Sequence, residues 1–151
     1  MILLVDIGNT RVKWATQVDG RLSPQRAAGY AQWSAVDWQH ELFDGPPVER
    51  VLAATVAGGD SRQALETAAR KAGIRRVDFV TSTAALAGVR NAYPAPGLLG
   101  VDRWVAVIGA YHLAQAACCV VDVGTAATLD AVDASGQHLG GFIVPGPQLM
   151  V

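Results

Sequence analysis

The chain has 151 residues, 51% hydrophobic and 17% charged, with a formal net charge of −1. This balance supports a packed core, excludes a disordered chain and gives no basic footprint for nucleic acid. No apolar run approaches the roughly 20 residues that span a bilayer, so no membrane partner is expected.

Ile2-Leu3-Leu4-Val5 is a continuous apolar run that reads as a buried strand over residues 2–6, and Asp6-Ile7-Gly8 turns out of it. Arg11 to Val18 alternates and predicts an antiparallel partner. Asp19-Gly20 is a hairpin signal, so a third strand is expected around Leu22 to Tyr30. Ala31 to Phe43 spaces Trp33, Val36, Trp38 and Leu42 as a helix does, and Gly45-Pro46-Pro47 breaks it. Val51 to Val56 reads as another buried strand. A helix capped by Asp60 or Ser61 then runs to Ala72 and stops at Gly73. A short strand over Arg76 to Val80 and a Gly/Pro-rich loop from Gly88 to Gly100 follow. Next come a helix from Asp102 to about Ala117 and strands over residues 118–122 and 126–132. Ser135-Gly136 makes a hairpin into a last strand, Leu139 to Val144.

Each half therefore opens on three strands in meander order, and the first half goes on to alternate helices with strands. That is the order of the actin-like ATPase and sugar-kinase-like α/β fold, in which two ribonuclease-H-like domains flank a nucleotide. Residues 1–117 are expected to form the first such domain, and residues 118–151 the start of the second. The chain stops as the apolar segment Leu149-Met150-Val151 begins, so the second domain is expected to be incomplete here.

Met1-Ile2-Leu3-Leu4-Val5 meets Asp6 with no basic segment before it, which does not read as a signal peptide. Cys118 and Cys119 are the only cysteines, and adjacent residues make a strained bridge. Both are expected to be reduced, buried small hydrophobes in a cytoplasmic protein.

The most telling motif occurs twice. Val5-Asp6-Ile7-Gly8-Asn9-Thr10 returns as Val121-Asp122-Val123-Gly124-Thr125-Ala126, each at a strand end. Glycine beside short polar residues lets a phosphate approach backbone N–H groups, and the Asp can hold a neutralising cation. A single copy reads first as an ordinary Asp-Gly turn. Two copies point to a duplicated phosphate-binding unit.

Four motifs occur in order: Asp6-x-Gly8-Asn9-Thr10 with Lys13; Gly100-Val101-Asp102-Arg103; Asp122-x-Gly124-Thr125-Ala126-x-Thr128-x-Asp130; and Gly140-Gly141-x-Ile143-x-Pro145-Gly146. Together they resemble the type III pantothenate kinases, including relatives once described as Bvg accessory factors, over nearly the whole chain. The resemblance implies an enzyme that phosphorylates pantothenate with ATP and Mg²⁺, the first step of coenzyme A synthesis, as a homodimer. It places ATP on Asp6, Ile7, Gly8, Asn9, Thr10, Arg11, Val12 and Lys13, with Thr125 as a further contact. It places pantothenate on Tyr93, Gly100, Val101, Asp102 and Arg103, with Asp102 as catalytic base, and a monovalent cation (K⁺ or NH₄⁺) on Asp122. Val101 stands where most of the family carries Ala.

The residues agree with those roles. Phosphoryl transfer has a loose transition state, so a positioned carboxylate is an adequate base. Arg103 can clamp a carboxylate bidentately, or steady the transferring phosphate. Asp102 equally suits the cap of the helix behind it. Asp130 is expected to hydrogen-bond to strand ends, and His138, in a hairpin, to be solvated. His40 and His112 show no metal-like spacing. Trp14, Trp33, Trp38 and Trp104 read as core or interface anchors, and Trp104 also as acceptor-site lining or a dimer contact. The contrasting reading is an actin- or chaperone-like ATP-binding regulatory module with no small-molecule acceptor, which would not need Gly100-x-Asp102-Arg103.

Overall fold

Strand alternation buries one face of the first sheet and sets its register. A computed structural model of the chain describes residues 1–150; Val151, counted above in the terminal apolar segment, lies outside the described residues. Packing divides the chain into two units, Met1–Val80 and Thr81–Val151.

In the first unit, β1 (Ile2–Ile7) turns Leu3, Val5 and Ile7 to the core. It pairs antiparallel with β2 (Arg11–Val18), which places Asp6 opposite Lys13. Asp19 and Gly20 have φ of 47° and 77°, the two left-handed positions of a tight hairpin, and lead into β3 (Arg21–Leu22). The expected third strand is split, and its second piece is β4 (Arg26–Gly29), also on β2. Pro24 lies in the gap and has no N–H for a ladder. Ser23 fixes the gap by donating its N–H to the Thr16 carbonyl (2.8 Å) and accepting the Thr16 N–H at its hydroxyl (3.0 Å).

Helix α1 (Ala35–Phe43) starts four residues later than Ala31 because Ser34 and Asp37 form a capping box. β5 (Arg50–Thr55) runs parallel to β1, and β6 (Val77–Phe79) parallel to β5. Between them α2 (Gly59–Lys71) has Gly58 as its N-cap, so Asp60 and Ser61 fall inside the first turn. The Ser61 hydroxyl donates back to the Gly58 carbonyl instead of capping. Gly73 leaves the helix with φ 80°, as expected for its end. The sheet order is β3-β2-β1-β5-β6. Both helices feed one core: Trp38 and Leu42 from α1, and Leu65, Ala68 and Ala69 from α2, pack with Leu3, Val5, Ile7 and Val51. Trp33 meets Trp14 and Trp38 edge-on, so these three are core anchors.

Asp78 on β6 joins Arg50 (2.6 Å) and Arg76 (2.9 Å). The Arg50 hydrogen bond above all, with Arg76 adding to it, holds the Asp78 carboxyl below the ordinary range. A depressed acid contributes stability above its unfolded value, near 3.9, and loses it as pH falls through the lower folded value. Asp78→Ala should therefore flatten the fall in melting temperature below about pH 4, measured by circular dichroism. An unchanged acid limb would contradict this.

The second unit opens on a small hairpin, β7 (Ala85–Leu86) and β8 (Val89–Arg90), and a 3₁₀ turn at Pro96–Leu98. Helix α3 (Val101–Ala114) follows, then β9 (Cys118–Val123), β10 (Ala126–Val132) and β11 (His138–Pro145), in antiparallel order β11-β10-β9. α3 stops short of Ala117 because Gln115 turns left-handed, φ 49°. Trp104 and Val107 of α3 pack with Val132, Val89 and Leu99, which joins the helix to this unit. The division by packing thus falls at Val80/Thr81, earlier than the boundary near residue 117 read from element order. Alternation on β9 turns the two cysteines to opposite faces, so they are not both buried as expected: Cys119 is exposed and Cys118 only partly buried. Among the described residues, no helix is long and apolar enough to cross a membrane.

Candidate active site

The first Asp-x-Gly loop is the turn between β1 and β2. The Gly8 N–H donates to the Arg11 carbonyl (3.0 Å) and closes it. A Cβ on Gly8 would stand 3.4 Å from that same oxygen. Ile7 and Val12 are fully buried and paired with each other, so they anchor the loop through the core. Asn9, Thr10 and Arg11 are exposed above them. The Lys13 ammonium stands 3.7 Å from the Asp6 carboxylate, with both side chains about 40% exposed. Such a pair is weak in water and is easily rearranged around a phosphate.

Tyr30, not singled out from sequence, braces this loop. Its hydroxyl donates to the Gly8 carbonyl (2.7 Å), with the Asn9 carbonyl at 3.3 Å, and burial pushes its pKa up. One neutral hydrogen bond contributes about 0.5–1.5 kcal/mol, so Tyr30→Phe should lower stability by about that much. Urea unfolding would check this, and an unchanged midpoint would exclude the brace.

In the second unit, Gly100 is the N-cap of α3 and makes no side-chain cap bond. Val101, Asp102 and Arg103 form the first turn, so Asp102 is not the cap. Asp102 accepts the backbone N–H of Arg103 (2.8 Å) and sits at the helix end where an anion is favoured.

Arg103 is not directed at Asp102. Its Nε and Nη2 donate to Oδ2 and Oδ1 of Asp130, each at 2.7 Å, with the two side chains 11% and 3% exposed. The Asp130 bond raises the guanidinium pKa above its ordinary value. Two of the Arg103 donors are thus committed inside the protein, and a bidentate clamp through that edge is not available to a ligand. Asp130 does not bond to strand ends as expected. His138 is also not solvated: it is fully buried, with Nε2 2.9 Å from Asp130 Oδ1. The turn at Ser135-Gly136 precedes His138, which has already entered β11 and the core. Tyr93 is half-buried and stacks on the His138 ring, centroids 6.1 Å apart. A Cβ on Gly141 would collide with the Leu129 carbonyl, Asp130 Oδ1 and Arg103 Nη2, which is why glycine lies opposite Asp130 in the register. Trp104 belongs to the core, fully buried with no hydrogen-bond partner for its indole N–H among the described residues.

The second Asp-x-Gly turn joins β9 and β10, with Asp122 and Thr125 both exposed. The Gly146 N–H donates to the Thr125 carbonyl (2.9 Å), and a Cβ there would collide with the Gly124 carbonyl. Pro145-Gly146 is therefore shaped to lie against this turn.

The family profile of the type III pantothenate kinases matches residues 2–151. The chain belongs to that family. It is 42% identical over 150 residues to the type III pantothenate kinase of Aromatoleum aromaticum, covering 99% of this chain and 61% of that protein. The match to the type III pantothenate kinase of Azoarcus sp. is also 42% identical, covering 99% and 57%. The chain thus spans about three-fifths of the length of the curated relatives it matches. Among solved structures, a Baf family protein of Campylobacter jejuni superposes with a TM-score of 0.53 at 24% identity, covering 97% of this chain and 56% of that one. The ethanolamine utilization protein EutJ of Carboxydothermus hydrogenoformans gives 0.52 at 15%, covering 95% and 51%. At these identities the likeness concerns fold alone, and it is the actin-like, sugar-kinase-like fold expected from the element order.

For a type III pantothenate kinase chain, the donor set can be matched to its cofactor. Among the described residues no group of three or more His, Cys, Asp or Glu is arranged to hold a metal ion. Mg²⁺ in nucleotide sites usually keeps several waters and takes one or two carboxylates plus phosphates. A single half-exposed Asp6 beside Lys13 fits that use.

Proposed function

We propose that the protein transfers the γ-phosphate of ATP to the terminal hydroxyl of pantothenate, the first step of coenzyme A synthesis. The observation that supports this most is the start of α3. There Asp102 stands in the first turn of the helix, and its neighbour Arg103 is fixed by Asp130 and so held in one place. Asp102 takes the hydroxyl proton as the oxygen attacks phosphorus. The bond from the γ-phosphorus to the β,γ-bridging oxygen breaks, and ADP leaves with that electron pair. Positioning and charge stabilisation supply most of the rate in such a transfer. Tyr93, Gly100, Val101 and Arg103 border the acceptor, with the apolar body of Tyr93 against pantothenate.

Residues Asp6 to Lys13 hold the ATP phosphates, with Thr125 as a further contact. Backbone N–H groups and short side chains supply donors there, and Lys13 a point charge. Asp6 would hold Mg²⁺ directly or through water, and the bound ion neutralises phosphate charge. Asp122 with turn carbonyls offers an all-oxygen site for K⁺ or NH₄⁺. A homodimer and a cytoplasmic location complete this reading, the latter in keeping with two free cysteines.

The test is ADP release from ATP with and without pantothenate, in potassium and then in sodium buffer. Turnover that needs both pantothenate and potassium is the expected result. Hydrolysis indifferent to pantothenate would replace this reading with the regulatory ATPase.

A further inference from the structure

Asp130 and His138 are buried ionisable groups, and the chemistry above gives His138 no part. They lie on adjacent strands, eight residues apart in sequence, and they meet one residue of α3 and one loop. The Ala92 N–H points at His138 Nδ1 over a long 3.4 Å. A ring nitrogen that receives an N–H must be the unprotonated one, so the proton of the neutral ring resides on Nε2 and is donated to Asp130 Oδ1. That oxygen also accepts Arg103 Nη2, while Oδ2 accepts Arg103 Nε. The chain of contacts therefore runs from the backbone of Ala92 through His138 and Asp130 to the guanidinium. Tyr93, the next residue in the loop, stacks on the same imidazole with an interplanar angle of 21°. The Asn91 side chain accepts the Tyr93 N–H (3.0 Å) and fixes the loop from its other side.

We propose that His138 is a positioning residue for the acceptor: through Asp130 it fixes the rotamer of Arg103, and through its ring it holds the Tyr93 loop in register with that arginine. Three features support the device. Arg103 has many accessible rotamers, and a bidentate carboxylate selects one of them. Asp130 shares its two oxygens between Arg103 and His138, so losing the imidazole donor frees one carboxylate lone pair and lets the carboxylate rotate. Gly141 leaves no room for a side chain where Asp130 and Arg103 meet, so the backbone of β11 is fitted to the pair. The acceptor then meets two walls, Arg103 and Tyr93, set by one buried ring.

The inference rests on the proposed kinase reading for its kinetic readout, so the experiment carries a second readout independent of turnover. His138→Gln places an amide nitrogen where Nε2 stands, whereas His138→Asn reaches only the Nδ1 position and His138→Phe keeps shape without either nitrogen. Phe and Asn should raise the KM for pantothenate about tenfold or more while the KM for ATP stays within about twofold, and Gln should restore most of the loss. In parallel, nitrogen-detected NMR should show a slowly exchanging Arg103 Nε–H and a proton on His138 Nε2 in the parent protein. The arginine signal should broaden in the Phe and Asn variants and return with Gln. If the parent protein fails to phosphorylate pantothenate yet the NMR pattern holds, the kinase reading fails and the positioning role stands. An Arg103 signal indifferent to all three substitutions, or Gln behaving like Phe in both readouts, overturns the proposal.

Discussion

Asp102→Asn should lower kcat for pantothenate phosphorylation by about a hundredfold or more while the melting temperature shifts little. General-base catalysis contributes about 10²–10⁴-fold, and the amide cannot accept the hydroxyl proton. The fold is expected to tolerate the change. Asp102 lies inside the first turn of α3 without capping it, and the hydrogen bond its carboxylate accepts from the Arg103 N–H has an equivalent acceptor in the amide oxygen. Some stabilisation of the helix N-terminus by negative charge is lost, about 0.3–1 kcal/mol. The KM for ATP should be nearly unchanged, because the substitution removes a proton acceptor and leaves the proposed phosphate contacts in place. Retention of most turnover would remove Asp102 from the base role and leave it a helix-end charge.

The largest loss of stability is expected from Asp130→Ala. Arg103 and Asp130 are 11% and 3% exposed, and His138 is fully buried against the same carboxylate. Removing the anion strands a buried guanidinium and a buried imidazole donor together. Breaking a buried pair by deleting one partner costs about 3–5 kcal/mol, mostly from the charge left uncompensated. Urea unfolding should show that loss with little change in slope. Asp130→Ala with Arg103→Met should recover part of it, since an apolar replacement of both partners leaves no orphaned charge. A loss under about 1 kcal/mol for the single variant would place the pair among weak surface contacts.

Much of this arrangement is legible in residue order, and the exceptions share a physical cause. β1, β2, β5, β9 and β10 follow from apolar runs and alternation, because burial of one sheet face has a period that sequence displays. The Asp19-Gly20 turn follows from the backbone conformations those residues permit. Helix starts are less legible, because a cap depends on local bonds. Ser34 displaced the expected start at Ala31 through a reciprocal bond with Asp37, and Gly58 capped α2 where Asp60 or Ser61 was expected. The Asp102-Arg103 pair is visible in sequence, but the direction of Arg103 is not. Its partner lies 27 residues away on β10, and only the packing of α3 on that strand brings them together. His138 shows the same limit. A histidine beside a Ser-Gly turn reads as solvated, while the strand it opens carries it into the core. One signal could have raised it: His138 precedes Gly140-Gly141, and a double glycine on a strand marks a place where something bulky approaches the backbone. Tyr30 left no signal beyond its position at the end of β4, facing a loop 22 residues earlier.

The most direct measurement follows the γ-phosphate itself. ATP labelled at that position, incubated with the purified protein and pantothenate, should yield label in phosphorylated pantothenate, matching ADP one for one and absent from the Asp102→Asn variant. Label appearing as inorganic phosphate, at the same rate with or without pantothenate, would contradict the assignment of the Asp102-Arg103 turn as an acceptor site.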